Sequence, residues 1–258
     1  MTANPPQFEV RLAADADEIA ASQRLRYDVF VRELGGDGAL VDHAAGIERD
    51  EYDPHYDHML LFDRSRDPSS GQVIGVYRLM PGYRASAAGG FYTAGEYDLA
   101  PLLDGGRPLL ELGRSCLHRD YRGGAAMYHL WNGLAEYTLK NGIEVLFGVA
   151  SFHGTDARAV AEPLSLLHHR HLAPEDLRVK ARPEAYQRLD LLAEAAIDRP
   201  RAMLQTPSLI KAYLRLGGFI GDGGFVDHAF NTIDVCLLLD TARMNDRQRA
   251  IYTRGLAA

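Results

Sequence analysis

The chain is short of the features that several functional classes require. Its two cysteines, Cys116 and Cys236, form no CxxC pair and have no zinc spacing. That speaks against a disulfide-stapled scaffold and fits a reducing compartment. No apolar run reaches the roughly 18 residues of a spanning helix, and Met1 to Gln7 carry no apolar signal core, so a cytoplasmic protein is expected. Basic side chains are outnumbered, 28 against 35 acidic, for a net charge of -7. No nucleic-acid partner is expected, since binding through bulk charge is excluded and only a local basic patch is left open. There is no repeat at solenoid spacing, no low-complexity run and no Pro/Gly/Ser-rich linker near the middle. Tryptophan occurs once, as Trp131.

What is present suffices for a core: 47% of residues are hydrophobic and 24% charged, a composition unlike that of disordered chains. Phe8, Val10 and Leu12 alternate with polar residues and predict a strand over 8–13. Asp15 is placed to cap a helix running to about Leu34, with Ile19, Leu25, Val29 and Phe30 as apolar positions and Gly35-Gly36 as its stop. Residues 37–57 read as an acidic loop. Strands at 59–62 and 73–79 around an Asp-Pro-Ser-Ser-Gly turn make a hairpin. A third strand over 109–117, a helix over about 125–140 closed by Asn141-Gly142, and a strand over 144–151 follow. Helices are expected at 156–171, 186–196 and 207–216, and a last strand over 232–239. The order β-α-β-β-β-α-β predicts an α/β fold with a mixed central sheet flanked by helices, in one domain over 1–258 whose 155–258 stretch completes the sheet and the acceptor side.

Several constellations carry chemistry. Arg26 and Phe30 sit on the first helix, and Glu48, Asp50 and Asp53 follow in the loop, where acids can hold a cationic substrate or simply be solvated. Glu111-Leu112-Gly113-Arg114 places two charges in a strand that reads as central. Buried charges are costly unless paired, so this is a site or a structural ion pair. In a regular strand the two would face opposite ways, and Gly113 offers a place for a bulge that re-aims one of them. Arg119 to Met127 forms a strand-to-helix turn containing Gly123-Gly124, able to receive a phosphate on helix N–H groups but lacking the GK[ST] of a Walker loop. Cys116 beside His118 lacks an orienting third group and reads as a buried inert thiol. His168-His169-Arg170-His171 lacks helical metal-ligand spacing and reads as a basic patch continuing through Arg178, Lys180 and Arg182; no metal is expected.

Taken together these residues resemble a known family. The element order with its Arg-Gly-Gly turn is similar to the GCN5-related N-acyltransferase (GNAT) fold. Arg26…Phe30, Glu48/Asp50/Asp53, Arg78 and Glu111…Arg114 resemble its acyl-carrier-protein-dependent branch, which contains the acyl-homoserine-lactone synthases and the L-ornithine Nα-acyltransferases. The stretch Pro207–Gly217, then Val226-Asp227…Phe230-Asn231-Thr232-Ile233-Asp234, resembles the latter. Lactone synthases carry a Trp soon after the first-helix Arg/Phe pair, whereas Trp131 lies far along the chain. The family's pyrophosphate loop, Arg/Gln-x-x-Gly-x-Gly/Ala, here reads Arg122-Gly123-Gly124-Ala125-Ala126-Met127. A Cβ at 125 and a long side chain at 127 crowd a pyrophosphate, which favours the 4'-phosphopantetheine arm of acyl-carrier protein over coenzyme A. No tightly bound cofactor is implied.

The resemblance implies transfer of a (3-hydroxy)fatty acyl group to the α-amine of L-ornithine by aminolysis of a thioester. Glu111 is the expected base, and backbone N–H groups near 113–117 and 147–150 the expected oxyanion donors. Arg114 and Arg78 would position pantetheine or the substrate carboxylate. Asp50, Asp53 or Asp227 would hold the second ammonium, and Asn231 the carboxylate. Arg119, Arg122, Gly123 and Gly124, with Lys140 and the 168–182 segment, would meet the acidic carrier. The apolar face of 207–216 packs into a core or touches the inner membrane. The alternatives are a lactone synthase using S-adenosylmethionine, a covalent Cys116 acyltransferase, and a non-catalytic acyl-carrier-protein binding module.

Overall fold

Alternation of polar and apolar residues sets the first strand, β1 (Phe8–Leu12), in a computed structural model that describes residues 5–254. Asp15 starts α1 (Ala16–Arg26) by accepting the Glu18 N–H at 2.9 Å, the usual way an orphan helix donor is satisfied. Directly after Arg26 the helix widens into a π-helical segment, Tyr27–Glu33. The hairpin is β2 (Asp57–Asp63) and β3 (Val73–Pro81). Then come α2 (Gly82–Ala85), β4 (Tyr97–Asp98), α3 (Ala100–Asp104), β5 (Leu109–Leu117), α4 (Ala126–Lys140) and β6 (Val145–His153). The chain continues through α5 (Ala161–His171), β7 (Lys180–Ala181), β8 (Tyr186–Gln187), α6 (Arg199–Gln205) and α7 (Ser208–Arg215). It closes with β9 (Phe219–Ile220), β10 (Gly224–Asp227), β11 (Thr232–Asp240) and α8 (Asp246–Tyr252).

These elements fall into two compact units, each discontinuous in sequence. The first holds β1, α1, β2, nearly all of β3, the Leu112–Leu117 part of β5, and α4. In it β1 pairs antiparallel with β2 and β2 with β3, and β5 is the next neighbour of β3. Leu25, Val29, Leu60, Phe62, Val76 and Cys116 make one buried cluster there, with Phe30 packed against it. Two glycines let side chains approach unusually closely. A Cβ on Gly133 of α4 would lie 2.6 Å from Val10 Cγ1, and one on Gly75 of β3 would lie 2.7 Å from Leu117 and 3.0 Å from Leu130.

The second unit holds α2, β4, α3, the Leu109–Glu111 part of β5 and the elements from β6 through β11. Here Leu109–Glu111 runs parallel to Val145–Phe147. β6 pairs antiparallel with the whole length of β11, β11 with β10 and β9, and β10 with β8. The result is the expected mixed, mostly antiparallel α/β architecture. β11 is buried from end to end, and the Tyr97 hydroxyl on β4 donates to the Gly223 and Asp234 carbonyls, both at 3.0 Å.

Three readings of the sequence need correction. Residues 186–196 are not a helix: Tyr186 and Gln187 pair with Phe225 and Gly224 as a strand, and only a 3-10 turn follows at Glu194–Ala196. Tertiary pairing has overridden local propensity there. The helix expected from 156 starts at Ala161. Residues 80–108, left without elements, contain α2, β4 and α3, each too short to leave a periodic signal.

Gly75→Ala must push aside Leu117, Leu130 and Leu61, and overpacking of this kind costs about 1–3 kcal/mol. Its urea midpoint should fall with the slope unchanged, while Gly95→Ala, where an added Cβ meets nothing within 4 Å, stays close to the wild-type midpoint.

Candidate active site

The first unit buries a cluster of three arginines and three carboxylates. Arg26, the last residue of α1, and Arg78, in the middle of β3, are both 0% exposed. Arg26 donates to Glu48 and, at 2.6 Å, to Asp53 Oδ1. Arg78 Nη1 donates to Asp50 Oδ1 and Asp53 Oδ1, both at 2.6 Å. Arg114, on β5, reaches Glu48 at 3.1 Å and Asp50 at 3.2 Å. Gln23 adds a 2.9 Å bond to Asp53 Oδ2. The Arg78 guanidinium also lies 4.4 Å from the centre of the Tyr56 ring, a cation–π contact.

Formal charges in this cluster cancel, as burial demands. Burial alone would raise the Glu48, Asp50 and Asp53 carboxyls, but the adjacent guanidiniums outweigh it and hold all three below their usual range. Burial also holds the His58 imidazole below its usual value, its Nε2 lying 3.1 Å from the Asp53 carbonyl. The carboxylates expected to seat a substrate ammonium, Asp50 and Asp53, are thus already neutralised by arginines, because the 48–53 loop folds its acids inward. Arg26 and Arg78 are likewise sealed from solvent and act on one another's partners. Of the three cations, Arg114 alone retains some exposure.

Its backbone is special. Arg114 has φ +51°, one of two described non-glycine residues with positive φ. The distortion expected at Gly113 falls one residue later, where it turns Arg114 toward Glu48 and Asp50. Gly113 itself faces Arg78, whose Nη2 would lie 3.6 Å from an added Cβ.

Glu111, on the other side of that distortion, belongs to the second unit. It is 1% exposed, and its two carboxylate oxygens accept the Thr93 N–H at 2.6 Å and the Tyr92 N–H at 3.1 Å. Those N–H groups open the 3-10 turn Tyr92–Gly95, so Glu111 caps that turn through space. The turn ends at Glu96, which is buried, and the carboxylate oxygens of Glu96, Asp227 and Asp234 lie within 4.8 Å of one another. Sequence reading singled out Asp227 but missed Glu96 and Asp234. A signal existed for Asp234: like Glu111, it is a carboxylate in a strand otherwise rich in apolar residues. Asp227 also caps its own turn, accepting the Ala229 and Phe230 N–H groups at 2.8 and 3.1 Å. Asn231 is exposed with φ +53°, a conformation Asn tolerates in turns.

The remaining candidates lie apart from these clusters in sequence. Arg119, Arg122, Gly123 and Gly124 form an exposed turn, with Arg122 tied to Glu33 at 2.8 Å and to the Leu117 carbonyl at 3.0 Å. No side chain caps the α4 N-terminus that follows. The basic segment 168–182 lines a cleft of about 1030 Å³ in the second unit, with His168, Lys180, Arg182 and Arg188 on its wall. Asp98, Asp190 and Asp222 share that wall, with Asp222 3.8 Å from Lys180 and Asp190 2.9 Å from Arg188. Cys116 is buried, and burial pushes its thiol up to about 12.

Residues 25–132 match the acetyltransferase (GNAT) domain family. Over 255 residues the chain is 58% identical to an L-ornithine N(alpha)-acyltransferase of Rhodobacter capsulatus, covering 98% of each chain. A protein of the same name from Brucella abortus is 42% identical over 249 residues, 95% of this chain and 88% of that one. Among solved structures, the acyl-homoserine-lactone synthase LasI matches with a TM-score of 0.50 at 16% identity over 97% of both chains. The CoA-dependent acyl-homoserine lactone synthase BjaI matches with a TM-score of 0.51 at 16% identity, over 97% of this chain and 90% of that one. At such identities the likeness is one of fold.

Asp53→Asn removes the shared partner of two buried guanidiniums and should cost about 3–5 kcal/mol, against less than about 1 kcal/mol for Asp28→Asn in the exposed Asp28–Arg32 pair. The cluster's carboxyls have lowered values in the folded state, so their stabilisation is complete above the ordinary carboxylate range near 4 and is lost progressively as pH falls from there toward the lower folded values. Lowered His58 acts in the same sense from 6.5 downward. Denaturant midpoints measured from pH 7 to 3 should therefore fall steadily in the wild type and less steeply in Asp53→Asn.

Proposed function

The chain belongs to the L-ornithine N(alpha)-acyltransferase family and is an N-acyltransferase, and on that premise we propose that it moves a (3-hydroxy)fatty acyl group from acyl-carrier protein to the α-amine of L-ornithine, giving lyso-ornithine lipid. The observation that carries the acceptor is the 58% identity over 98% of both chains with a protein of that name. The acyl group arrives as a thioester on the carrier's 4'-phosphopantetheine arm.

An ammonium has no lone pair to attack with, so the α-nitrogen must first lose a proton, to Glu111 directly or through one water. The amine then adds to the thioester carbonyl carbon, the carbon–sulfur bond breaks, and the leaving thiolate takes up a proton as the amide forms. Glu111 suits the role by lying buried on β5 with its orientation held by two backbone N–H groups. The same two bonds support a second reading, in which Glu111 is a positioning residue that holds the Tyr92–Gly95 turn. A covalent route through Cys116 is disfavoured, since a thiol raised to about 12 by burial holds almost no thiolate at neutral pH.

On the donor side, the exposed Arg119–Gly124 turn and the uncapped α4 N-terminus suit the single phosphate of a pantetheine arm. Arg114 is the guanidinium that keeps some exposure for the same arm or for a substrate carboxylate. Lys180 and the neighbouring Arg188 are offset by Asp222 and Asp190, and Arg170 by Glu194, which favours the exposed Arg119–Arg122 turn, with Arg119 as its leading cation, for docking an acidic carrier. A fatty product leaves most easily at a lipid surface. The apolar residues offered there belong to α6 rather than to α7: Leu204 is 81% exposed, with Met203 beside it, while Ile210 and Tyr213 are buried. No helix among the described residues is long and apolar enough to cross a membrane, so any contact with the inner membrane is peripheral.

Incubation with acyl-carrier thioester and either L-ornithine or S-adenosylmethionine, read by product mass, should give acyl-ornithine and no lactone. In that assay Glu111→Gln should lower turnover about 10²–10⁴-fold and remove the rising acidic limb of the pH profile if it is the base. A smaller loss with the limb intact assigns it to positioning. Arg119→Glu with Arg122→Glu should raise KM for the carrier and flatten its salt dependence with kcat little changed; an unchanged KM would clear that turn of carrier docking.

A further inference from the structure

Two consecutive helices of the second unit carry a surface that the acyl-transfer chemistry does not use. From Arg199 to Gly221 the sequence holds Arg199, Arg201, Lys211 and Arg215 and no Asp or Glu, in a chain whose net charge is -7. α6 is also built against the usual pattern. A surface helix turns its larger apolar residues to the core, whereas α6 turns Ala202 inward at 0% exposure and leaves Leu204 81% exposed. Among the described residues no other large apolar side chain is as open to solvent. Pro200 and Leu204, four residues apart, lie on one outward face, and both are exposed. Met203 widens that apolar face.

α7 supplies charge beside it. Ile210 and Tyr213 are buried, while Lys211 and Arg215, again four residues apart, share a different face. The Lys211 ammonium donates to the Met203 carbonyl at 3.2 Å, which sets this cationic face against the apolar end of α6. Arg199 and Arg201 are answered by Glu194 at 3.8 Å and Glu162 at 3.3 Å. Among the described residues Lys211 and Arg215 have no acidic partner.

We infer that Pro200, Met203 and Leu204, with Lys211 and Arg215, form a contact surface for an anionic phospholipid bilayer. The inference gives residues and a lipid chemistry to the peripheral contact described above, and its purpose rests on that lipid-product reading. A projecting apolar group flanked by unpaired cations is the composition of helices that lie in a membrane interface. With an excess of acids the chain as a whole is repelled by such a bilayer, so attraction has to come from a local surface, and each cation held near an anionic leaflet contributes about 5-fold to binding. An acidic carrier protein would meet the same cations. Leu204 projects from its helix rather than lining a groove, which suits insertion between head groups better than docking against a folded partner.

The test is co-sedimentation of the full chain with vesicles of phosphatidylcholine, either alone or mixed in equal parts with phosphatidylglycerol. Wild-type protein should pellet with the mixed vesicles, stay in solution with the neutral ones, and be released by added salt. Lys211→Gln together with Arg215→Gln should weaken binding to mixed vesicles about 10- to 30-fold, and Leu204→Ser about 10-fold, urea midpoints reporting that each variant is folded. Arg215→Gln alone, at an exposed position, should still weaken it about 5-fold and keeps the test available if the double variant fails to fold. Equal binding to both vesicle types, binding to neither, or undiminished binding by the variants overturns the inference. A raised KM for acyl-carrier protein in these variants, measured without vesicles and with vesicle binding intact, would give the face to the carrier instead. The two readings fail separately. Wild-type protein that acylates L-ornithine in solution but never pellets loses the surface alone. Wild-type protein that pellets with mixed vesicles yet acylates no amino acid loses the acceptor reading and keeps the surface.

Discussion

Burying six charges together is the constraint from which the first unit is built. Transferring one guanidinium into the core costs several kcal/mol unless carboxylates accompany it, and here every arginine is bonded to two of the three acids. The arrangement therefore dictates where four separate pieces of chain must lie. The end of α1 brings Arg26, the loop before β2 brings Glu48, Asp50 and Asp53, the centre of β3 brings Arg78, and β5 brings Arg114. The loop before β2 is tied to the core at three points because its acids are bonded inside. The switch to π-helical turns immediately after Arg26 belongs to the same region, as such segments often do where a helix serves a site.

Much of this was legible in the sequence, and the boundary is physical. Strands with alternating or continuous apolar runs stood out, β5 with the same limits as in the structure, and so did helices with a cap and a glycine stop. The charged residues of the first unit were visible as a constellation because arginine and carboxylate are conspicuous in apolar strands. Their pairing was not visible, since it depends on the loop over 34–56, whose path leaves no periodic trace. The short elements between β3 and β5 escaped for the same reason, and with them Glu96. Asp234 could have been found by asking of the last strand the question that found Glu111.

The two units differ in how they treat buried acid. In the first, cation and anion are matched residue by residue, and the cluster is a scaffold that displays little beyond Arg114. In the second, Glu111 is bound by backbone N–H groups, while Glu96 and Asp234 gather with Asp227 on one face. Main-chain dipoles can orient a carboxylate without supplying a full positive charge.

Arg114 allows a lower bound to be set. A left-handed backbone costs a residue with a Cβ roughly 1–2 kcal/mol that glycine would escape, and glycine is the residue immediately before it. Occupation of that place by a long cationic side chain means the head group returns more than this amount, whether by neutralising Glu48 and Asp50 or by meeting a ligand. Shortening the side chain to nothing would therefore ease the main chain while stranding two acids, and the net of those opposing changes measures what the guanidinium is worth.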